Sequence, residues 1–357
     1  MLRGANYPTV TMLNSRTIPA VKLLAFDQAD VFDALRPEWN PLLSRSHTNV
    51  IFSTWEWQSN WWAAYQAGDL WVVTVRDEND TLVGIAPWFI ETNDEGERVV
   101  RTIGCVDVTD YVDVIVAPEC RGEVFMLLAQ HVAESSDRFD RINLCNIPEE
   151  SPTRTDFAAA LEHVGFTTEV VLQEVCPLIP LPDDFEAYLA TLDKKQRHEI
   201  RRKVRRAEGE PSLSWFIVGP EHDLEAEAER FLGLMAASQP DKAEFLRDPK
   251  NVAFFQRIVP ATFEQGWLQL AFISFNGQPA AAYMDFDYNR RILVYNSGLQ
   301  PDQYGHLSPG IVLLAYLIDH AIKTEHTVFD FLRGNETYKY RMGAVDTRVY
   351  KLKAQLA

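Results

Sequence analysis

Hydrophobic and polar positions alternate along much of the chain with the two-residue period of β-strands. Segments 70–76 and 81–90 flank the polar turn Asp77–Asp80 and predict a hairpin, and 99–103 and 111–116 predict further strands. The series continues with a helix at 124–133, a strand at 141–145, a helix at 157–164 and a strand at 169–173.

A second series has the same order. Segments 267–275 and 279–287 flank Asn276-Gly277, a dipeptide typical of two-residue hairpin turns. It continues with a strand at 291–298, a helix at 309–323, a strand at 328–332, a short helix or turn at 338–342 and a strand at 348–353. The repetition predicts two related α/β halves with mixed sheets, formed by residues 21–180 and 181–357. Residues 1–20 lack periodicity and predict a flexible lead-in.

A tryptophan-rich segment precedes the first hairpin. Trp55, Trp61, Trp62 and Tyr65 recur at helical spacing between residues 52 and 65. Such a stripe either faces the core or lines a ligand groove, and the spacing favours a core-facing helix.

Composition limits the classes of partner. The 357 residues carry a formal charge of -17, which opposes binding to DNA or to an anionic membrane except where basic residues cluster. The four cysteines stand far apart and are interpreted as reduced core thiols, and the eight histidines show no metal-ligand spacing. The spacing of these residues therefore predicts no bound metal. No continuous apolar segment is long enough for a signal sequence or a membrane span, so we expect a cytoplasmic protein.

The basic residues do cluster in one segment. Eight Lys or Arg residues lie between 194 and 206, on both flanks of an apolar helical stripe that includes Ile200 and Ala207. Such a run is either a solvated helix face or the contact surface for a polyanion. In the second case we expect Arg197 and Arg201 to hold a distal phosphate of a ligand.

The start of the helix at 309–323 suggests an anion site. Ser308 is a suitable N-cap, Pro309 suits the first helical position, and Gly310 would let a ligand approach the backbone. A helix start of this kind offers free N–H groups to a phosphate. The alternative is a well-capped helix without a ligand.

Polar residues follow the strand that ends near Asp330. In an α/β sheet this end of a strand commonly faces the ligand crevice. Asp330, Tyr338 and Lys339 are therefore candidate catalytic residues, and the Arg333 guanidinium could hold an anionic substrate. A structural Asp330–Arg333 pair is the alternative.

A group of acids lies near residue 110 in the first half. Asp107, Asp110 and Asp113 surround Tyr111. Clustered carboxylates can supply a base with a raised pKa or can cap loops. Asp110 and Tyr111 are candidate substrate-binding residues.

Four segments together resemble a known family: DKKQRHEIRRKVRRAE, SPGIVLLAYLIDHAI, FDFLRGNETYKYRMGA and, in the first half, DYVDVIVAP. They are similar to the CelD-type (cellulose-biosynthesis) acetyltransferases of the GNAT superfamily, which are related to FemAB-type aminoacyltransferases. The resemblance spans about residues 50–350 and implies tandem GNAT-like domains. It also implies acyl transfer to an amine or hydroxyl of a small molecule or of an envelope or polysaccharide precursor.

The sequence does not identify the acyl donor. In GNAT proteins the pyrophosphate loop follows the pattern Q/R-x-x-G-x-G/A, whereas residues 305–310 retain the final Gly310 alone. The expected donor is acetyl-CoA or another acyl-CoA. An aminoacyl-tRNA donor is the less favoured alternative, and a catalytically silent accessory protein of polysaccharide biosynthesis is the second.

Overall fold

The computed structural model describes residues 22–105 and 108–357, so the predicted lead-in at 1–20 and Asp107 lie outside the described residues. Within these ranges the strands are β1 (Lys22–Phe26), β2 (Asp69–Arg76), β3 (Leu82–Thr92), β4 (Arg98–Thr102), β5 (Ile115–Val116), β6 (Arg141–Pro148), β7 (Phe166–Pro180), β8 (Leu213–Ile217), β9 (Leu268–Phe275), β10 (Gln278–Tyr288), β11 (Arg291–Leu299), β12 (Val328–Asp330) and β13 (Val345–Leu356). The helices are α1 (Asp30–Arg45), α2 (Trp55–Tyr65), α3 (Arg121–Glu134), α4 (Asp156–His163), α5 (Phe185–Thr191), α6 (Lys194–Glu208), α7 (Leu224–Ser238), α8 (Pro240–Phe245), α9 (Pro249–Glu264), α10 (Pro301–Tyr304), α11 (Pro309–Lys323) and α12 (Thr337–Arg341).

The strands form one continuous sheet whose order is nearly symmetric. It runs β1-β2-β3-β4-β6-β13-β7-β12-β11-β10-β9-β8, with β5 paired to β3 off this path. Each half contributes an outer antiparallel set and one parallel pair, β4–β6 in the first half and β11–β12 in the second. The expected α/β class with a mixed sheet in two related halves is confirmed.

The two central strands are exchanged between the halves. The last strand, β13, lies between β6 and β7 of the first half and pairs with β7 from Val345↔Leu178 to Leu356↔Phe166. Strand β7 in turn pairs with β12 of the second half. The predicted boundary between residues 180 and 181 stays a prediction, because the central strands of both halves share one hydrogen-bonded ladder.

Helix α2 packs into the core at the junction of the halves. The side chains of Trp57 and Trp61 are fully buried, which confirms the prediction of a core-facing helix. Trp57 makes edge contacts with Phe254, Phe286 and Tyr295 of the second half, at ring-centroid distances of 5.3 to 5.5 Å. Aromatic packing of this kind adds to the burial of apolar area in holding the halves together.

Several elements were not apparent from the pattern. Helix α1 contains Pro37 and Pro41, which disfavour a helical interpretation, and α7, α8 and α9 fill a stretch with no predicted element. The strand predicted at 111–116 is reduced to Ile115–Val116, because the preceding residues form a loop between the two halves.

The prediction of four reduced cysteines is wrong for two of them. Cys105 and Cys145 form a disulfide, whereas Cys120 and Cys176 are free thiols. The sequence does not reveal the Cys105–Cys145 disulfide, because the two cysteines are 40 residues apart and meet through sheet pairing. No helix in the described part of the chain has the length and hydropathy needed to cross a membrane.

Candidate active site

The site begins where the parallel strands β11 and β12 separate. They pair over three positions, from Arg291↔Val328 to Leu293↔Asp330, and then diverge. On its other edge β11 bulges, since Met284 pairs with Asn296 and Asp285 with Val294, which leaves Tyr295 as the extra residue. Divergence and bulge together open a crevice at the carboxyl ends of these strands, where ligands commonly bind in α/β sheets.

The equivalent separation in the first half is closed. Strands β4 and β6 pair at Val99↔Arg141 and Val100↔Ile142, and the Cys105–Cys145 disulfide then joins the diverging segments. The Asn146 side chain donates a 2.8 Å hydrogen bond to the carbonyl of Thr109 and fixes the loop that follows. The first half therefore uses this position to hold a loop, and the crevice of the second half stays open.

That loop carries Asp110 and Tyr111 into the second half. The Tyr295 hydroxyl donates to the carbonyl of Val108 at 2.9 Å and anchors the start of the loop. The Arg333 Nε donates to Asp110 Oδ1 at 2.9 Å, with side-chain exposures of 18% and 14%. Burial opposes the charge of Arg333, but the Asp110 carboxylate outweighs it and keeps the pKa of Arg333 raised. Two predicted substrate-binding residues, 223 positions apart, are thus in direct contact.

Tyr111 and Asp330 also meet. The Tyr111 hydroxyl lies 3.1 and 3.2 Å from the two carboxylate oxygens of Asp330, which also accepts from Arg291 and from the Leu332 N–H. Burial raises the pKa of Asp330, opposed by the Arg291 charge. Asp330 is fully buried, and its contacts are those of a residue that positions the loop after β12. Its predicted catalytic role stays a prediction.

A pocket of about 430 Å³ lies beside the Asp110–Arg333 pair on the α7/α9 side of the sheet. Its volume falls in the range of small-molecule sites. It is lined by Asp110, Glu174, Met235, Asp241, Lys242, Phe245, Phe255, Tyr295, Asn296, Arg333 and Gly334. The polar residues come from the first half, from α8 and from both diverging strands, so the complete fold is needed to assemble them.

Lys242 is the lysine of this pocket, and burial changes its chemistry. Its Nζ donates to the carbonyl of Ser297 on β11 at 2.5 Å. Burial lowers the pKa of Lys242 to about 8, against a smaller opposing effect of Glu336. A lysine with such a pKa is partly neutral near pH 8 and can accept a proton.

Lys339 lies outside the pocket lining. Its Nζ donates to the carbonyls of Arg333 at 2.6 Å and Gly334 at 3.1 Å, and it pairs with Glu336 at 2.9 Å. Its side chain is 3% exposed. The ammonium has three N–H groups, and these contacts use them to hold the loop after β12. The geometry therefore favours a structural role over the predicted catalytic one.

Tyr338 precedes Lys339 on helix α12. It packs edge-on against Phe331 and makes no contact that would place it in the pocket described above. Burial raises the pKa of Tyr338, and the carboxylates of Glu336 and Asp285 raise it further. The hydroxyl therefore stays protonated at neutral pH, as a proton donor must be.

The start of α11 differs from the expected anion site. Ser308 adopts a left-handed conformation with φ 55° and its side chain makes no capping hydrogen bond. Both the Ile311 and the Val312 N–H groups donate to the carbonyl of Ser308. A Cβ on Gly310 would lie 2.8 Å from Leu299 Cδ2, so this glycine accommodates a neighbouring side chain. Ser308 therefore occupies the predicted N-cap position without capping the helix through its hydroxyl, and the residues present fit a pyrophosphate poorly.

The close backbone approach occurs at another glycine. A Cβ on Gly298 of β11 would lie 2.6 Å from both the Met235 N and the Leu234 Cβ of α7. Helix α7 can approach β11 this closely because residue 298 has no side chain. This contact places Met235 and the following helix α8, with Lys242, over the crevice.

Helix α6 packs as predicted and leaves its cations outside. Ile200 and Ala207 are buried against α11. Arg201 forms an ion pair with Glu186, and Arg206 donates to the carbonyl of His306 in the turn before α11. Arg197 is half-buried and, within residues 22–105 and 108–357, has no ion-pair partner. Of the two predicted phosphate ligands, Arg197 alone is unpaired.

The pattern gave no sign of four pocket residues. Lys242 and Asp241 lie on a six-residue helix that has no amphipathic signal, and Tyr295 and Asn296 read as ordinary strand positions. Register shifts such as the one at Tyr295 arise from tertiary pairing and have no local signature here. Among the described residues, no group of His, Cys, Asp and Glu side chains is arranged to bind a metal ion.

Residues 194–340 match the family model described as an acetyltransferase (GNAT) domain. This stretch contains α6, the bulged strand β11, α11 and the crevice, and amounts to less than half of the chain. This part of the second half is therefore similar to GNAT acetyltransferase domains. Among proteins with curated descriptions, none is significantly similar in sequence to this chain.

Solved structures share the fold at low sequence identity. The crystal structure of FemX has a TM-score of 0.62 at 11% identity, covering 88% of this chain and 95% of that one. The C-terminal domain of a putative lysylphosphatidylglycerol synthetase from Agrobacterium fabrum has a TM-score of 0.54 at 12% identity, covering 91% and 92%. L-PGS from Bacillus licheniformis has a TM-score of 0.53 at 11% identity, covering 92% of each. These similarities extend over both halves and concern the fold.

Proposed function

We propose that this protein is an acyltransferase whose acceptor binds in the 430 Å³ pocket between α7, α9 and the diverging strands. The observation that carries the proposal is the placement of Lys242. A lysine with a pKa of about 8 lines this pocket next to the bulge of β11, within the segment that matches a GNAT domain. Neutral Lys242 would act as the general base.

The proposed step is attack of an acceptor amine or hydroxyl on the carbonyl carbon of an activated acyl donor. Lys242 takes the proton that the acceptor loses, a new C–N or C–O bond forms, and the C–S or C–O bond to the donor breaks. Tyr338 lies outside the acceptor pocket, near Tyr283 on the side of α11, and is the candidate that returns a proton to the leaving group of a donor bound on that side. An N–H that the bulge at Tyr295 leaves out of the ladder would stabilise the oxyanion. The Asp110–Arg333 pair would orient the acceptor.

The donor proposed first is acetyl-CoA or another acyl-CoA, entering from the α11 side of the crevice. The unpaired Arg197 and the basic face of α6 would meet its distal phosphate. The poor fit at Ser308 and Gly310 means that these residues supply no pyrophosphate cradle, and no step is assigned to them.

A second donor, aminoacyl-tRNA, is favoured by one observation. The cations of α6 form an extended exposed face beside the turn before α11, which suits a polyanion larger than a nucleotide. One protein with the same fold is described as a putative lysylphosphatidylglycerol synthetase. For either donor we propose an envelope or polysaccharide precursor as acceptor, and a cytoplasmic location.

The test is a transfer assay on the purified full-length protein. Acetyl-CoA and charged tRNA are offered with a panel of amines, amino sugars and nucleotide-linked sugars. We expect product with one donor, a loss of at least about 100-fold in Lys242→Met, and full activity in the exposed-lysine control Lys250→Met. Absence of transfer with both donors, together with binding of a glycan precursor, would support the accessory-protein alternative.

A further inference from the structure

A second and larger cleft lies between α7 and α9 on the same face of the sheet as the acceptor pocket. Its volume is about 560 Å³. It is lined by Leu224, Glu225, Ala228, Glu229, Leu232, Phe255, Gln256, Val259, Pro260 and Met284. We refer to it as the α7–α9 cleft.

The walls of the α7–α9 cleft are apolar. Leu224, Ala228 and Leu232 recur every four residues and form one stripe of α7. Phe255 and Val259 form the opposing stripe of α9, and Met284 of β10 forms the floor. A cleft of this size with apolar walls and a few polar groups is typical of a small-ligand site.

The charged side chains at the cleft are both acidic. Glu225 and Glu229 lie one turn apart at the rim of α7, and both are exposed. In the described part of the chain neither has an ion-pair partner, whereas Glu227 between them pairs with Arg230. The helix dipole accounts for an acid in the first turn, as at Glu225, but not for Glu229. Like charges at this spacing repel each other unless a cation lies between them.

Helix α9 adds an acceptor at the same cleft. Pro260 lies inside the helix and has no N–H, so the carbonyl of Gln256 lacks its usual helical donor. Both residues line the cleft. A carbonyl oxygen in this position, with two carboxylates opposite, favours a protonated amine.

The cleft adjoins the acceptor pocket. Phe255 lines both, and α7 continues from the cleft to Met235 of the acceptor pocket. The ring of Phe255 therefore forms the boundary between the two cavities. A ligand that fills the cleft and passes this ring would reach the acceptor pocket and Lys242.

We propose that the α7–α9 cleft binds an amphiphilic amine, an apolar body with a protonated amino group, as the non-reacting part of the acceptor. The apolar body lies on the stripes of α7 and α9, and the ammonium lies between Glu225, Glu229 and the carbonyl of Gln256. Naming this ligand as part of the acceptor rests on the proposed transferase function. The binding itself does not.

The test is calorimetric binding to the full-length protein without any donor, so its outcome is independent of transfer activity. The probes are decylamine, decanoate and 1-decanol, each below the concentration at which it aggregates. We expect decylamine to bind one to one and at least about three- to tenfold tighter than decanoate, with an affinity that falls as salt is added. Equal or tighter binding of decanoate, or no binding of decylamine, would overturn the proposal.

Variants locate the site. Glu225→Gln combined with Glu229→Gln changes the exposed rim, leaves the core intact, and should weaken decylamine binding by about three- to tenfold. Glu264→Gln removes an exposed acid of α9 outside the cleft and should have no effect. Ala228→Phe fills the cleft and should abolish binding of all three probes in a protein with an unchanged circular dichroism spectrum. Unaltered decylamine binding in the rim variant would show that the carboxylates are not ligands.

Discussion

Lys242 shows at the scale of one residue how burial sets chemistry. Burial lowers its pKa to about 8 in the folded protein, so the neutral form accumulates as the pH rises through that value. We predict that kcat/KM increases with pH and levels off above a pKa near 8. Initial rates across this range would check it, and a flat profile would remove Lys242 as the base.

The lowered pKa of Lys242 also predicts that the stability of the folded protein depends on pH. The unfolded chain binds this proton up to its ordinary pKa of 10.5, whereas the folded protein releases it near 8. The unfolded state therefore holds more protons between these values, and the contribution of Lys242 to the free energy of unfolding grows as the pH rises through them. Lys242→Met should reduce this rise, measured by denaturant titration at several pH values against Lys250→Met.

Replacing Lys339 should destabilise the folded protein, whereas replacing a surface lysine should not. Lys339→Met removes the donor to the carbonyls of Arg333 and Gly334 at a site that is 3% exposed. Leaving these groups without a donor should cost about 2 to 3 kcal/mol of unfolding free energy. Urea denaturation would measure the loss. A variant with wild-type stability and no transfer activity would instead restore the catalytic role predicted from the sequence.

At the scale of elements, the packing of α7 on β11 depends on Gly298. Gly298→Ala would place a Cβ 2.6 Å from the backbone N of Met235, so α7 must move. We predict a loss of about 1 to 3 kcal/mol together with reduced transfer, because α8 and Lys242 move with α7. The control is Gly233→Ala on α7, where a Cβ meets nothing within 4 Å and alanine should stabilise the helix by about 0.5 to 1 kcal/mol.

The Cys105–Cys145 disulfide ties β6 to the loop that carries Asp110. It closes a separation of 40 residues, for which loss of the cross-link should cost about 3 to 4 kcal/mol. We predict that the Cys105→Ser, Cys145→Ser variant unfolds at a lower denaturant concentration than the oxidised wild type. Reductant should lower the unfolding midpoint of the wild type and leave that of the variant unchanged. Alkylation and mass spectrometry before and after reduction would verify the bond. Four reactive thiols in the protein as isolated would contradict it.

At the scale of the whole molecule, the Asp110–Arg333 pair couples the two halves. Both side chains are largely buried, so each variant alone leaves a partner without its counter-charge. A double-mutant cycle of Asp110→Ala and Arg333→Ala should give a coupling energy of about 1 to 3 kcal/mol. The exposed pair Arg98–Asp140 is the matched control and should show a much smaller coupling. Additive effects at Asp110 and Arg333 would exclude a direct role for the pair.

Features that depend on neighbouring residues can be predicted from the sequence, and features that depend on distant residues cannot. Helix α11 was predicted at its observed bounds of Pro309–Lys323, because its apolar stripe and starting Pro309 are local signals. The candidates Asp110, Tyr111, Asp330 and Arg333 were identified as residue types in strand-end loops, and the structure brings them into two contacting pairs. Lys242 was missed, because its altered pKa comes from burial by neighbours distant in sequence.

The amino-acid sequence alone predicts most of the strands, helix α11 and the repeated order of these elements, since periodicity and turn residues act over a few positions, but it gives no sign of α1, α7, α8 or α9. It also located the basic helix α6 and the polar loop after β12. Tertiary structure alone decided the exchange of β7 and β13, the disulfide, the closed crevice of the first half and the open one of the second. These features depend on contacts between distant segments, such as the pairing of Leu356 with Phe166 across 190 positions, which no local pattern of side chains encodes.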